Sequence, residues 1–123
     1  MLPKSHQKKL TQWQDLLLDL RSQVKNSSEA LTIKSSTGQE LQNFFKKEIL
    51  PLNNDVIEVS FQSVWQSFQT ESYRSLRLLN TDIIFLTSSK SIATRQKRLS
   101  QIEARLEQMI GYCQSLLSSC SES

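Results

Sequence analysis

Two stretches near the start of the chain carry apolar residues at the three- and four-residue spacing of an amphipathic helix. The first begins after Pro3 and fades at Asn26. The second begins at Thr37, and Pro51 ends it because a proline ring excludes the helical conformation for the residue before it. Residues 29–36, between them, are predicted to form a loop. The apolar residues of the first stretch are Leu10, Trp13, Leu17, Leu20 and Val24.

A third stretch has no helix breaker between Val56 and Ser88, and residues 53–55 are suited to cap its start. One unbroken helix of that length would measure about 50 Å. We therefore predict a kink or a protruding end, and the weak helix formers at residues 80–82 mark the place for a kink. The residues that trace its predicted buried face are Phe61, Trp65, Phe68, Ser72, Leu76, Leu79, Ile83 and Leu86.

A fourth stretch follows the predicted loop at residues 87–91, and its spacing is again strictly three and four. Its predicted core residues are Leu99, Ile102, Leu106, Met109, Cys113, Leu116 and Cys120. Together the pattern predicts an all-α fold, with four amphipathic helices in an antiparallel helical bundle and a long third helix. The third and fourth helices should form an αα-hairpin, with the first two packed across one end. We expect one domain over residues 1–123, frayed at about 1–5 and 118–123.

The composition excludes several classes of fold and chemistry. With two glycines and two prolines, the chain lacks the turn residues of an all-β fold and cannot build a glycine-rich phosphate loop. One histidine and two cysteines cannot form a structural zinc site without carboxylates. His6 is expected in the frayed N-terminus, where a catalytic base would be poorly held. We therefore expect no enzyme, no catalytic residue, no metal and no cofactor.

The charge balance is mild, with 15 Lys and Arg against 12 Asp and Glu. Basic residues occur as Lys8-Lys9, as Lys46-Lys47 and within Arg95–Arg98, with acids nearby, so solvated helix faces are the expected setting. A dedicated nucleic-acid-binding protein usually has a stronger and more clustered excess. No signal peptide or bilayer-spanning segment is apparent, so we expect a cytoplasmic protein without membrane insertion. Cys113 and Cys120 lie too far apart along one helix to form a disulfide.

Four charged residues interrupt the apolar segment 69–86. Glu71 and Arg74 have the spacing of a surface ion pair, whereas Arg77 and Asp82 have no good partner on their own helix. Two interpretations stay open for Arg77 and Asp82. They pair across to the fourth helix, for instance with Glu103 or Arg98, or they lie exposed at a binding face. The candidate protein-binding residues are Arg74, Arg77, Asp82, Lys97 and Arg98.

Short elements along the whole chain match one family pattern in order and approximate spacing. They are Leu2-Pro3 with His6, Ile49-Leu50-Pro51-Leu52, Gln69-Thr70-Glu71, Leu76-Arg77-Leu78-Leu79, Asp82 with Phe85-Leu86, Ala93-Thr94 and Tyr112-Cys113. With these elements the chain resembles the cyanobacterial heterocyst frequency control protein PatD family. It departs from the family pattern in the loop at residues 25–36 and at Asn80, where the family often has glycine.

The resemblance implies a small, non-enzymatic helical protein that limits how many cells of a cyanobacterial filament become heterocysts. It also implies direct binding to the tubulin-like division protein FtsZ, whose assembly the family modulates, and it assigns no catalytic or binding residues. Two alternatives remain. One is a nucleic-acid-binding developmental regulator, which the lack of a basic cluster disfavours. The other is a helical scaffold that forms homo-oligomers, which exposure of Ile57, Leu78 and Ile84 would support.

Overall fold

The computed structural model describes residues 2–26, 36–52 and 55–121, and these residues form helices and no strand. The all-α prediction is confirmed. The second helix changes from α to π geometry before it ends. In chain order the elements are α1 (Lys4–Asn26), α2 (Ser36–Phe44) continued by the π-helical segment Phe45–Ile49, α3 (Val59–Ser88) and α4 (Ile92–Ser121). The predicted loop at 29–36 falls mostly outside the described residues, as do Asn53 and Asn54. Helix α3 begins at Val59 with Glu58 in the N-cap position, so the predicted cap at residues 53–55 is wrong.

Neighbouring helices run antiparallel. Arg21 of α1 pairs with Glu107 of α4 at 3.2 Å, and Lys25 pairs with Glu103. Residue numbers therefore increase along α1 in the direction in which they decrease along α4. The π-helical segment packs against α1, and α2 packs against α3. Helix α3 also packs against α4, and α4 packs against α1. Each helix therefore lies beside the next one in the chain, and the contact between α4 and α1 completes the bundle. This is the antiparallel helical bundle that the sequence predicts.

The core is built from the predicted apolar faces. Side chains of α1, α3 and α4 meet there with Leu41, Phe45 and Ile49 from the second helix. Phe61 and Leu99 are only partly buried and pack against the edge of this core. The side chain of Cys120 lies outside the described part of the chain. The largest fully buried side chains include Leu10, Trp13, Leu17, Phe45, Ile49, Trp65, Leu76, Leu79, Ile83, Leu86, Ile102 and Leu106.

Helix α3 is continuous over 30 residues, so it does not break at the predicted weak point, residues 80–82. Contacts with other helices hold this region. Asn80 lies against Gly38 of α2, and Asp82 binds Arg105 of α4. These contacts outweigh the weak helix propensity, which amounts to only about 0.5 kcal/mol per residue. The hairpin of α3 and α4 runs on past these contacts, and we call its residues 83–102 the hairpin end.

The π-helical segment places one extra residue in the last turn of the second helix. The backbone N–H of Leu50 donates to the carbonyl of Phe45 at 2.9 Å, an i to i−5 bond. The side-chain amide of Gln69 on α3 donates to the carbonyl of Ile49 at 3.1 Å. This bond helps to satisfy the helix end, where Pro51 has no N–H to donate. Both Phe45 and Ile49 are fully buried.

His6 and Ile57 are both buried in the structure. His6 is 4% exposed and its ring lies 5.5 Å from that of Trp65, so the expectation of a frayed terminus at His6 is wrong. The side chain of Gln7 donates to the carbonyl of Leu2 at 2.7 Å and helps to hold this end of the chain. Ile57 is also buried, at 3% exposure, and therefore offers no apolar surface for oligomerisation.

Candidate protein-binding face

Arg74 and Arg77 lie together on the exposed side of α3. Their spacing of three residues places them on adjacent turns, facing away from the buried stripe of the helix. Both border a shallow groove, which we call the α3 groove. The residues that line the α3 groove are Thr70, Tyr73, Arg74, Arg77, Leu78 and Thr81. The hydroxyl of Thr81 donates to the carbonyl of Arg77 at 3.1 Å, so it is tied to its own helix.

The α3 groove carries uncompensated positive charge. Among the described residues, neither arginine is in an ion pair, and the predicted pair of Glu71 with Arg74 is not formed. Lys46 from the π-helical segment adds a third cation, with its Nζ atom 5.9 Å from the centre of the Tyr73 ring. Tyr73 itself packs against the buried ring of Phe45 at 6.1 Å. The groove therefore combines an anchored aromatic ring with two guanidinium groups that form no ion pair among the described residues, and the ammonium group of Lys46 lies close to that ring.

Asp82 joins α3 to α4 and does not lie on an exposed face. Its residue exposure is only 7%. One carboxylate oxygen accepts a hydrogen bond from Nε of Arg105 at 3.1 Å, and the other lies 3.8 Å from Nη1 of Arg98. Pairing across to the fourth helix is therefore confirmed for Asp82, with Arg98 as predicted and with Arg105 in addition. We call these three residues the Asp82 clasp.

The other two candidates lie on the hairpin end. The guanidinium of Arg98 sits 4.8 Å from the centre of the Phe85 ring and donates to the side chain of Gln101 at 3.2 Å. Lys97 is exposed, and no ion pair holds it within the described residues. The five candidates thus separate into the α3 groove, the Asp82 clasp and the hairpin end, and do not form one site.

Sequence reasoning missed three residues that complete these arrangements. Tyr73 lines the α3 groove, Lys46 lies close to the Tyr73 ring, and Arg105 is the nearer partner of Asp82. The pair Lys46-Lys47 is visible in the sequence, but its nearness to Tyr73 arises only when α2 packs against α3. Arg105 shows no sequence signal for its role, because its partner lies 23 residues away on another helix.

The hairpin end also carries a charge imbalance that the sequence analysis missed. Residues 83–102 contain four basic residues and no acidic one, while the remaining chain has eleven basic and twelve acidic residues. The hairpin end is therefore +4 and the rest of the chain is −1. In the sequence this charge imbalance is visible as a run of twenty residues, 83–102, without Asp or Glu. The acids closest to residues 95–98 along the chain, Glu103 and Glu107, lie just beyond this segment.

The described residues offer little reactive chemistry. Within them, no group of three or more His, Cys, Asp or Glu residues is placed to hold a metal ion. Cys113 is buried, and its burial raises the pKa of the thiol from 9.0 to about 12. Since a thiolate is the reactive form, Cys113 is inert at neutral pH. None of the described helices combines the length and apolarity needed to cross a membrane.

Comparison with known proteins returns no match: no family model, no curated protein and no solved structure matches the chain. A function must therefore be sought in the α3 groove, the Asp82 clasp and the hairpin end, together with the resemblance of the sequence. Of these, the α3 groove and the hairpin end present exposed charge that a partner can reach.

Proposed function

We propose that this chain is a non-enzymatic regulatory protein that binds an acidic surface of a protein partner through the α3 groove. The resemblance to the PatD family suggests FtsZ as that partner and modulation of FtsZ assembly as the action. It also suggests control of heterocyst frequency in filamentous cyanobacteria as the role. The observation that carries the binding surface is the pair Arg74 and Arg77, exposed on adjacent turns of α3 and in no ion pair with any described carboxylate.

The chemistry of the α3 groove suits a carboxylate-bearing protein segment. A guanidinium group binds a carboxylate through two parallel hydrogen bonds, which gives both affinity and orientation. Arg74 and Arg77 are about 4.5 Å apart along the helix axis, so they can engage two acidic side chains of one segment. Tyr73 and Leu78 supply apolar area between the charges. Arginine and aromatic residues are also the types enriched at the energetically important centres of protein interfaces.

The direct test is co-sedimentation of the purified protein with FtsZ and GTP at low and at high salt. We expect the protein to pellet with the polymer and to change polymer mass, with weaker binding at high salt because salt screens exposed charges. A protein that stays in the supernatant at both salt concentrations would remove FtsZ as the partner.

Charge reversal locates the binding surface. We expect Arg74→Glu with Arg77→Glu to weaken binding at least tenfold, because two exposed interface arginines are lost and repulsion is added. The matched control is Lys4→Glu with Lys8→Glu, which makes the same change in net charge at exposed positions of α1. Arg98 is left unchanged because it also contacts Asp82 and Phe85. Equal binding by the two double variants would show that the α3 groove is not the surface.

A helical scaffold that forms homo-oligomers is a second candidate, and exposed apolar residues favour it. Leu78 is 46% exposed and Ile84 is 50% exposed, although Ile57 is buried. Light scattering over a range of protein concentrations distinguishes the two candidates. A stable oligomer that Leu78→Ser dissociates would support the scaffold, whereas a monomer that binds FtsZ would support the regulator.

A further inference from the structure

The hairpin end combines positive charge with exposed apolar side chains. It carries all of the net positive charge of the chain, through Lys90, Arg95, Lys97 and Arg98. On the same end of the hairpin, Ile92 is 72% exposed, and two residues in the last turns of α3 are about half exposed. These residues are Ile84 and Phe85. Burial of side chains of this size is favourable, so their exposure beside Lys90 and Lys97, which are in no ion pair among the described residues, points to a ligand surface.

We propose that the hairpin end binds the surface of a lipid bilayer that contains anionic phospholipids. Cationic side chains close to such a surface are attracted by its negative potential. Apolar side chains then enter the boundary between headgroups and acyl chains, which strengthens binding in proportion to the area buried. The hairpin end supplies both contributions without any helix entering the hydrocarbon.

The local contacts hold the hairpin end in shape. Nε of Arg95 donates to the carbonyl of Ser89 at 2.7 Å, which ties the start of α4 to the connection from α3. The guanidinium of Arg98 lies over the Phe85 ring, so a cation and an aromatic ring are presented together. Lys90 and Lys97 are exposed and, among the described residues, form no ion pair. Two cations are therefore available at a surface that is already ordered.

A bilayer fits these features better than the other occupants. A second copy of the chain would bring Lys90 and Lys97 of one copy near the same two lysines of the other, which is repulsive. A protein partner would have to offer an acidic surface that also has apolar recesses for Ile84, Phe85 and Ile92 at once. A fluid interface needs no such matched shape, because headgroups and acyl chains rearrange around side chains that enter them.

Vesicle sedimentation tests this proposal. The probes are vesicles of equal parts phosphatidylcholine and phosphatidylglycerol, and vesicles of phosphatidylcholine alone, each at low and raised salt. We expect the full chain to sediment with the anionic vesicles at low salt, to be partly released by raised salt, and to remain in solution with the neutral vesicles. Failure to sediment with anionic vesicles at low salt would overturn the proposal.

Two sets of substitutions separate charge from insertion. We expect Lys90→Gln with Lys97→Gln to weaken vesicle binding by about fivefold per charge removed. Ile92→Ser should also weaken binding, and it should leave the fold intact because Ile92 is largely exposed at the first residue of α4. The matched control, Lys4→Gln with Lys8→Gln, should bind like the unaltered chain. Unchanged binding by both hairpin-end variants would overturn the proposal.

The remaining outcomes identify other occupants and are independent of the α3 groove. Tighter binding to polyglutamate or to duplex DNA than to anionic vesicles would overturn the lipid proposal in favour of an acidic protein or a nucleic acid. The variant Arg74→Glu with Arg77→Glu keeps the hairpin end intact and should retain at least half of the vesicle binding. If FtsZ binding fails and vesicle binding succeeds, only the proposed function falls, and the reverse result removes only the lipid proposal.

Discussion

Replacement of Arg105 by methionine should destabilise the fold far more than the same replacement at an arginine whose carboxylate partner is exposed. The Asp82 side chain is 10% exposed, whereas those of Arg105 and Arg98 are 26% and 32% exposed. Arg105→Met keeps an apolar stem but removes the Nε donor at 3.1 Å, and Asp82 is left with Arg98 at 3.8 Å. That distance is beyond hydrogen-bonding range. The carboxylate would therefore stay largely buried without a hydrogen bond from the clasp.

The magnitude follows from this geometry. Loss of one partner of a fully buried ion pair costs about 3–5 kcal/mol, because the other charge stays buried and uncompensated. This cost is lower here, because Asp82 keeps some exposure to water and Arg98 remains nearby. We therefore expect Arg105→Met to lower the free energy of unfolding by about 2 kcal/mol. Asp82→Leu should cost less, about 1 kcal/mol or under, because the two arginines that remain can reach water. In the Asp82→Leu background, Arg105→Met should then cost almost nothing.

Urea unfolding, followed by far-ultraviolet circular dichroism and by tryptophan fluorescence, measures the four free energies of this double-mutant cycle. The matched control is Arg21→Met, which breaks an exposed pair with Glu107 of similar distance, 3.2 Å. We expect that control to cost a few tenths of a kcal/mol. If Arg105→Met costs no more than Arg21→Met, or if the two clasp substitutions are additive, the reasoning from burial of Asp82 is refuted.

Two further predictions concern packing and pH. A methyl group at Gly38 would overlap Oδ1 of Asn80 and lie 3.1 Å from its Cα atom, so Gly38→Ala should lower stability by about 1 kcal/mol despite better helix propensity. Thermal unfolding should show a smaller loss in an Asn80→Ala background, and a stabilised Gly38→Ala would contradict the close approach. Burial raises the pKa of Cys113 from 9.0 to about 12, so between these values the unfolded chain releases the thiol proton while the folded chain keeps it. Stability should therefore fall by about 1.4 kcal/mol per pH unit there in a Cys120→Ser background, and an equal slope after Cys113→Ala would contradict this.

The candidate site shows where sequence reasoning works and where it stops. Arg74 and Arg77 could be placed together from the sequence because both belong to one helix, and helix geometry converts a spacing of three residues into proximity. Lys46 could not be added to them, because its distance from Tyr73 depends on how α2 packs against α3. For Asp82, the sequence predicts only part of the arrangement. Its lack of a local partner was visible, but burial and a shared bond to Arg105 are properties of the α3–α4 contact.

The apolar spacing by itself determined the four helices, the faces that they bury and the class of the fold, since a helix with one apolar face must bury it against another element. Tertiary structure alone decided three features. The first is the unbroken course of α3 through residues 80–82, where contacts with Gly38 and Arg105 outweigh local propensity. The second is the π-helical end of the second helix, and the third is the division of five charged candidates among three locations. These depend on distances between residues far apart in sequence, and only the packed bundle sets such distances.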